Sequence, residues 1–462
     1  MKRFSVKPLL ACLLIMTLLT GCNVIGLDVE TQLMPPESNS EHKAIRAALD
    51  EYIGTHTKNG QSADYTLKYP SGGRYLSAFI MLDQVKEHTV LTAGNAVPTA
   101  EKPVETKSAL AFYRRNDENA LVHINLLKSN DEGQWRSVAD IEGKGESVNQ
   151  VEFGDLNNDG TPELLIGWSL YNTRDSRLAI YNIDEKLTMR SFSATYTDLV
   201  VADITADGSD DLLLLSIANS FDLVSAQMFS FRTDNVVDSG HALLDSDIIR
   251  FGDHITVSFD NRFNGVFLDC YKEQDAMVTE LLCWQDKKLI APLCNQSTQL
   301  NTHTAREISL SCRDIDGDGM VEWPITTRMP GFEETEPNQT LWYTEWCSYD
   351  LQSNEVRTEF FGLMPAKDGY MLRLREEWQT LPAAYSRDNR TLTLYRKENG
   401  GEWLFRIGTF AASEKNDLPD GYVLFHEQKD RCYAVLMAED TEAISLEEIR
   451  HLFYVLDGED AE

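Results

Sequence analysis

The amino-acid sequence predicts a mainly β protein with a small α+β module at its C-terminal end. From about residue 64, short apolar runs rich in Val, Ile, Phe, Tyr and Leu alternate with clusters of Gly, Asn and Asp. No long amphipathic helix separates these runs, which disfavours parallel βαβ layering. An acidic loop motif also occurs three times, each time before an apolar run. These observations predict an all-β body assembled from repeated units.

The first 21 residues have the pattern of a secretory signal. Lys2, Arg3 and Lys7 precede an apolar run over 9–19, which is too short to span a bilayer as a stable helix. The run ends in Leu-Thr-Gly-Cys and resembles the bacterial lipobox, in which the thiol of the cysteine, here Cys22, is acylated. We therefore expect export and lipid anchoring through Cys22 on the outer face of the cell membrane. The alternative is an ordinary cleaved signal.

The next segment predicts a flexible tether and then a short helix. Residues 22–40 contain a Pro-Pro pair with several Ser, Asn and Glu, and they lack apolar periodicity. Ser38 and Glu41 have the spacing of a capping box, and apolar side chains then recur on one helical face. A helix is predicted near 41–55, within an N-terminal segment over 41–63.

The chain is strongly acidic, with 74 acidic and 42 basic residues and a net charge of −32. Such a field disfavours nucleic acid and anionic lipid headgroups as partners and favours cations or basic surfaces. Solubility outside the cell is the simpler explanation of the same charge. No stretch beyond the signal approaches the roughly 20 apolar residues of a membrane-spanning helix.

Six cysteines follow Cys22, and an even number in an exported chain permits three disulfides. They are Cys270, Cys283, Cys294, Cys312, Cys347 and Cys432. No Cys-x-x-Cys pair occurs, so neither a zinc knuckle nor a redox motif is indicated. Buried free thiols are the alternative to disulfides.

The motif that carries chemistry is a loop found at 155–163, 203–211 and 314–322. Oxygen-bearing side chains occupy its positions 1, 3, 5 and 9, and Gly occupies position 6. Calcium takes about six to eight oxygen ligands, which a curled loop supplies from side chains and from the carbonyl of position 7. The predicted ligands are Asp155, Asn157, Asp159, Thr161 and Glu163, then Asp203, Thr205, Asp207, Ser209 and Asp211, then Asp314, Asp316, Asp318, Met320 and Glu322.

These loops predict three structural calcium sites. Magnesium is less suited because its small, rigid octahedron matches few all-protein cages. A catalytic metal is disfavoured because protein oxygens fill each site and no His lies within a loop to tune a bound water. The alternative is that the loops are acidic turns that seldom hold metal, and Thr205 makes the second loop the weakest candidate.

The spacing of the loops predicts a propeller or another repeat array. Their first residues lie 48 and 111 residues apart, and the larger interval leaves room for a degenerate unit around 251–284. Upstream, 78–83 has the pattern of an entry strand and 109–113 that of an exit strand, with a polar insertion over 84–105 in place of the loop. A period of about 50 residues with short strands is typical of propellers.

Residues 366–462 predict the separate α+β module. Strand-like runs at 391–395 and 422–425 precede a second capping box, formed by Ser445 and Glu448, which opens a helix.

The loops and the lipobox together resemble the VCBS or FG-GAP repeat proteins, whose blades carry Asp-x-Asp/Asn-x-Asp-Gly-x-x-Asp/Glu calcium loops. The resemblance is clear over 150–215 and 308–325 and fair over 64–115, and the chain looks like a bacterial lipoprotein of Gram-positive type. It implies a β-propeller of six or seven blades over 64–365, bound calcium and a surface role in binding or adhesion. The interrupted upstream loop and the unit without a motif depart from the family pattern.

The leading functional prediction is a non-enzymatic protein that binds a protein or glycan ligand at the cell surface. The sequence contains no Gly-x-Ser-x-Gly, His-Glu-x-x-His or phosphate-binding loop. A surface hydrolase or polysaccharide-processing protein, with two carboxylates in the propeller mouth, is the alternative. A third interpretation is an accessory subunit of an envelope complex that docks through 366–462. Trp168, Trp323, Trp342 and Trp346 could stack on sugars, although a core role is favoured.

Overall fold

The computed structural model describes residues 40–56, 64–82, 107–116, 121–169, 175–217, 223–232, 235–259, 263–273, 276–350, 353–396, 401–438 and 444–456. The predicted signal, Cys22, the tether up to residue 39 and the insertion over 84–105 lie outside these residues. Among the described helices, none is both long enough and apolar enough to cross a membrane. The chain divides into two compact units, one made of residues 1–151 and 184–187 and the other of the remainder.

The described residues of the first unit form one helix and one antiparallel sheet. Its elements are α1 (Ser40–Thr55), β1 (Tyr65–Leu67), β2 (Phe79–Met81), β3 (Ser108–Arg115), β4 (His123–Ser129) and β5 (Trp135–Glu142). The strand order is β1-β3-β4-β5, and β2 also pairs with β3. Ile45, Leu49 and Ile53 recur on one face of α1 and are buried against apolar side chains of β3. The predicted helix near 41–55 is therefore confirmed.

The second unit is built from consecutive antiparallel sheets. The first of these sheets contains β6 (Val148–Gly154), β7 (Glu163–Ser169), β8 (Ser176–Asn182) and β9 (Thr188–Tyr196). The second contains β10 (Asp198–Ala202), β11 (Asp211–Ser216), β12 (Ser225–Arg232) and β13 (Asn235–Leu243). The third contains β14 (Arg250–Phe259), β15 (Phe263–Tyr271), β16 (Met277–Gln285) and β17 (Lys288–Ile290). This third sheet occupies the place of the predicted degenerate unit.

Two five-stranded sheets complete the unit. One has the order β18-β19-β20-β21-β27 and the other the order β22-β23-β24-β26-β25. Their strands are β18 (Trp323–Arg328), β19 (Leu341–Asp350), β20 (Glu355–Pro365), β21 (Tyr370–Leu374), β22 (Ala383–Ser386), β23 (Thr391–Tyr395), β24 (Trp403–Ala411), β25 (Val423–Glu427), β26 (Arg431–Met437) and β27 (Phe453–Val455). Short 3₁₀ turns lie at Pro337–Gln339, Ala366–Asp368, Glu376–Trp378 and Ala412–Glu414.

The C-terminal region contains the predicted helix, but it also contributes to the preceding sheet. Helix α2 (Leu446–His451) begins after Ser445, whose hydroxyl accepts a hydrogen bond from the N–H of Glu448 at 3.1 Å. β21 and β27 both pair into the sheet that begins with β18, so the predicted boundary at 366 falls within that sheet.

Alternate side chains of the same strand pack against different neighbouring sheets. Leu212 and Leu214 of β11 join a cluster with apolar residues of β7 and β8, whereas Leu213 and Leu215 join a cluster with β15 and β16. Successive side chains of a strand point to opposite faces, so a strand buried on both faces needs an unbroken apolar run. This explains the four consecutive leucines.

The same alternation continues into the next sheet. Val266 and Leu268 of β15 pack toward the second sheet, while Phe267 packs with Trp323 and Cys347 of the following one. The four tryptophans considered above as sugar-binding candidates each have 0% exposure. They are core residues, which is the role that the sequence favoured over sugar binding.

The six cysteines after Cys22 are buried free thiols, which is the second of the two alternatives that the sequence left open. Burial raises the pKa values of Cys283, Cys294 and Cys347 to about 12, so these thiols stay protonated at neutral pH. They act as small apolar core side chains.

Candidate metal centre

Each acidic loop connects two antiparallel segments. The first loop joins β6 to β7, and the second joins β10 to β11, which pair up to Ala202 and Asp211. The third loop is closed by Arg313 and Glu322, whose backbones exchange two hydrogen bonds of 2.9 Å. All three loops therefore occupy one kind of position, at the end of an antiparallel pair.

The loops also share their internal hydrogen bonds. The carboxylate at position 1 accepts hydrogen bonds from the backbone N–H groups of positions 5 and 6. The two distances are 3.0 and 2.8 Å at Asp155, 3.0 and 3.0 Å at Asp203, and 3.1 and 2.9 Å at Asp314. The carboxylate at position 5 accepts the N–H of position 7 at 2.8, 3.0 and 2.8 Å in turn. The motif thus specifies one loop conformation at three places.

This conformation requires left-handed backbone at two positions. At position 4 the φ angles are 56° for Asn158, 55° for Ala206 and 77° for Gly317. At position 6 they are 81° for Gly160, 91° for Gly208 and 88° for Gly319. Glycine adopts this region without the steric penalty of a Cβ, which explains its presence at position 6 of every loop.

The acid at position 9 is buried in all three loops. Glu163, Asp211 and Glu322 are 3%, 1% and 1% exposed, and each accepts the N–H of position 2 at 3.0 to 3.1 Å. Desolvation raises the pKa values of Glu163 and Asp211 and raises that of Glu322 to about 7. A bound cation would favour the ionised form of each group.

The third loop brings carboxylates closest to a common centre. Asp314, Asp316 and Glu322 each offer an oxygen within 4.8 Å of the other two, and no other such group of His, Cys, Asp or Glu exists within the described residues. Three hard oxygen ligands around one point fit calcium. Arg373 Nη1 lies 3.3 Å from Asp316 Oδ2 and is the positive group that contacts this cluster.

In the first loop, an arginine pairs with the acid at position 9. Arg190 Nη2 lies 2.6 Å from Glu163 Oε1, and the Asn157 amide donates to the same oxygen at 3.1 Å. The guanidinium is 11% exposed and also donates from Nε to Asn182 at 2.6 Å. The sequence did not predict Arg190 here, because no local pattern relates it to a loop 27 residues earlier.

The second loop is hydrogen-bonded to the first loop and to neighbouring strands. Asp211 Oδ1 accepts the Ser230 hydroxyl at 2.6 Å, and Asp155 N donates to Asp210 Oδ2 at 2.8 Å, which joins the first and second loops. Burial raises the pKa of Asp210 to about 6. The Asn264 amide donates to the carbonyl of Asp203 and connects this loop to the third sheet.

The sheet without the motif contains a buried charge network instead. The side-chain carboxylate of Asp245 accepts a hydrogen bond from Lys272 Nζ at 2.8 Å. The backbone N–H of Asp245 donates to Glu280 Oε1 at 3.0 Å. Arg306 and Asp269 form a second buried pair at 2.9 Å. No local sequence pattern predicts these residues, because their partners lie far apart along the chain.

Two clefts lie away from the loops. One, of about 510 Å³, is on the last sheet and includes Arg406 and Tyr422 among its lining residues. The other, of about 390 Å³, lies beside Asp198 and Arg250. Of the residues that the structure describes, no acid lines the first cleft, and Asp198 is the one acid lining the second. Neither has the carboxylate pair that the hydrolase alternative requires.

Comparison with known proteins gives distant structural similarities. No family model matches the chain, and no curated protein matches it. A rhamnogalacturonan lyase PL11 from Bacillus licheniformis is similar over 70% of this chain and 82% of its own, with 11% identity and a TM-score of 0.29. The Dos1 propeller is similar over 62% of this chain and 71% of its own, with 10% identity and a TM-score of 0.29. The β-propeller domain of the Trilobed protease from Pyrococcus furiosus is similar over 67% of this chain and 88% of its own, with 11% identity and a TM-score of 0.26.

Proposed function

We propose that this protein is a lipid-anchored extracellular binding or adhesion protein whose β-sheet scaffold is stabilised by structural calcium. The observation that carries the proposal is the loop conformation shared by three acidic motifs, one of which assembles three carboxylates within 4.8 Å. Such a loop joins two antiparallel segments through a fixed set of hydrogen bonds. Its repetition supports a scaffold role.

The scaffold is proposed to be a β-propeller of six or seven blades. Support comes from the succession of antiparallel sheets in the second unit, where the sheet of β10 to β13 packs on both of its neighbours through alternate side chains. A propeller blade is a four-stranded antiparallel sheet, and three of the described sheets consist of four strands in sequence order. Neighbouring blades would bury both faces of each sheet.

Calcium is proposed to occupy the third loop. Asp314, Asp316 and Glu322 would supply carboxylate oxygens, with Asp318 and the carbonyl of Met320 completing the shell. The ion would offset the repulsion among these acids and the desolvation that raises the pKa of Glu322. In the other two loops, the ligands named from sequence remain proposed calcium ligands.

The location is proposed from the lipobox-like segment. Acylation of Cys22 would hold the chain at the outer face of the membrane, with residues 22–40 as a tether. The acidic surface would limit adsorption to nucleic acid and to anionic lipid. A protein or a glycan at the cell surface is the proposed partner.

Calcium titration by isothermal calorimetry tests the proposed binding of calcium by the third loop. The full chain, freed of metal with a chelator, is expected to bind calcium, and Asp314→Asn is expected to weaken binding at least tenfold. Asp286→Asn is the matched control, because Asp286 is an exposed aspartate in a turn outside the loops. Unchanged calcium binding by Asp314→Asn would contradict the assignment.

Two further measurements test location and role. Metabolic labelling with a radioactive fatty acid should tag the wild-type chain and should not tag Cys22→Ser; equal labelling would refute the anchor. A glycan and protein array probed in calcium should give a partner whose binding survives washing. The absence of any partner would contradict the binding role.

A further inference from the structure

The cleft of about 510 Å³ lies on the face of the last sheet that points away from the core. In β23, Leu392 and Leu394 pack into the core, while the alternate residues Thr391 and Thr393 line the cleft. Arg406 of β24 pairs directly with Thr393 in the sheet register and lines the same cleft. Strand alternation thus gives this sheet a second, functional face.

Arg406 has no acidic partner within the described part of the chain. Its guanidinium lies 4.7 Å from the centre of the Trp403 ring, and its Nε is buried without a hydrogen-bond acceptor. Other arginines of this region do form ion pairs, for example Arg390 with Asp368 at 2.6 Å. A buried donor without an acceptor is costly, and a ligand acceptor would remove that cost.

The composition of the cleft wall is unusual for so acidic a chain. Among the described residues no Asp or Glu lines it, although the protein has 74 acidic residues. Its polar groups are the hydroxyls of Ser386, Thr391 and Thr393 and the amide of Asn389. The wall therefore combines one positive charge with neutral hydrogen-bonding groups.

An aromatic pair forms the other side of the cleft. The rings of Phe410 and Tyr422 meet edge to face, with centroids 5.4 Å apart. They lie over Gly408, where a Cβ would come within 2.7 Å of the Phe410 ring. Glycine at this position lets the rings pack on bare backbone. Aromatic rings beside hydroxyl groups suit an amphipathic ring that has both C–H and O–H groups.

We propose that this cleft binds a carboxylate-bearing sugar residue, such as a uronic acid of an acidic polysaccharide. The guanidinium of Arg406 binds the carboxylate, the threonine and serine hydroxyls bind ring hydroxyls, and Tyr422 contacts the ring face. The volume falls within the range of about 300–1,000 Å³ typical of ligand pockets. The inference extends the proposed binding role by naming a ligand class, and it requires neither calcium nor the lipid anchor.

The test compares an oligomer of glucuronic acid with its carboxyl-reduced counterpart, by calorimetry on the full chain. We expect the acidic oligomer to bind at least tenfold more tightly than the reduced one. Arg406→Gln should remove that preference. Arg387→Gln is the matched control, since it removes a nearby exposed arginine that does not line the cleft. Circular dichroism verifies that both variants are folded.

Three outcomes would overturn the inference. They are equal affinity for the two oligomers, unchanged affinity in Arg406→Gln, and an affinity for free acetate or phosphate equal to that for the acidic oligomer. The last would mean a simple anion site. Tyr422→Ala provides a second variant. Its affinity for the acidic oligomer should fall several-fold, while its preference for the carboxylate should remain. An unchanged affinity would contradict the contact between Tyr422 and the sugar ring. Failure of the calcium test at Asp314 would leave these results unaffected, so the two proposals can fail separately.

Discussion

Replacing Glu280 by glutamine is expected to change the pH dependence of folding in a defined direction. Glu280 lies in β16 and is 0% exposed. Its Oε1 accepts the Asp245 N–H at 3.0 Å. Burial raises the pKa of Glu280 to about 8; the charge of Asp245 adds to the effect and Lys272 opposes it.

The sign follows from proton binding. Below pH 4.5, which is the ordinary pKa of the group, the folded and unfolded chains are both protonated there. Between pH 4.5 and about 8 the folded chain keeps a proton that the unfolded chain has lost, so stability falls as pH rises. One pKa unit corresponds to about 1.4 kcal/mol, which makes the loss on the order of 4–5 kcal/mol across that range. Glutamine keeps the Oε1 acceptor and carries no ionisable proton.

Urea denaturation followed by tryptophan fluorescence at pH 5, 7 and 9 measures the effect. Glu280→Gln should be close to wild type at pH 5 and more stable than wild type by on the order of 4 kcal/mol at pH 9. Glu402→Gln, at an exposed position, is the control and should follow wild type at every pH. Parallel stability curves for Glu280→Gln and wild type would refute the reasoning.

Three other substitutions give separable outcomes. Asp368→Ala removes the buried acceptor that Arg390 and the Tyr385 hydroxyl share, and should lower the free energy of unfolding by about 1–3 kcal/mol in urea because the buried hydroxyl loses its partner; an unchanged free energy of unfolding would contradict this. In chelator, Arg190→Gln should lower the free energy of unfolding by about 3 kcal/mol. Millimolar calcium should recover part of that free energy, because an ion can replace the guanidinium at Glu163. Equal stability of the variant with and without calcium would contradict this replacement. Gly208→Ala should cost about 1–3 kcal/mol in thermal unfolding, since its φ of 91° strains any residue with a Cβ, and a neutral effect would mean that the loop changes conformation.

Much of the fold was predictable because the signals are local. The four leucines of β11 predict a strand, and their burial on both faces explains the absence of polar alternation. The spacing of the loops predicted a unit over 251–284, and β14 to β17 form a sheet there without the motif. Glycine and aspartate positions predicted the loop conformation, since those residue types are needed for the left-handed turns and the carboxylate hydrogen bonds.

The remainder depends on contacts between residues far apart in sequence. Arg190 of β9 reaches Glu163 of β7 across the one strand between them, and β27 pairs with β21, about 80 residues earlier. Arg406 is one of many surface arginines in the sequence, and only the sheet register places it opposite Thr393. Sequence spacing carries no information on such contacts, so the guanidinium in the first loop and the cleft on the last sheet were not predicted.

Differential scanning calorimetry of the full chain, in calcium and in chelator, tests the central claim most directly. An ion at about 100 times its dissociation constant stabilises the folded state by about 2.7 kcal/mol, which for a unit of this size raises Tm by on the order of 3–6 °C. Wild type and Asp286→Asn should show that rise, and Asp314→Asn should show a smaller one. An unchanged Tm in wild type, or an equal rise in Asp314→Asn, would contradict calcium stabilisation through the third loop.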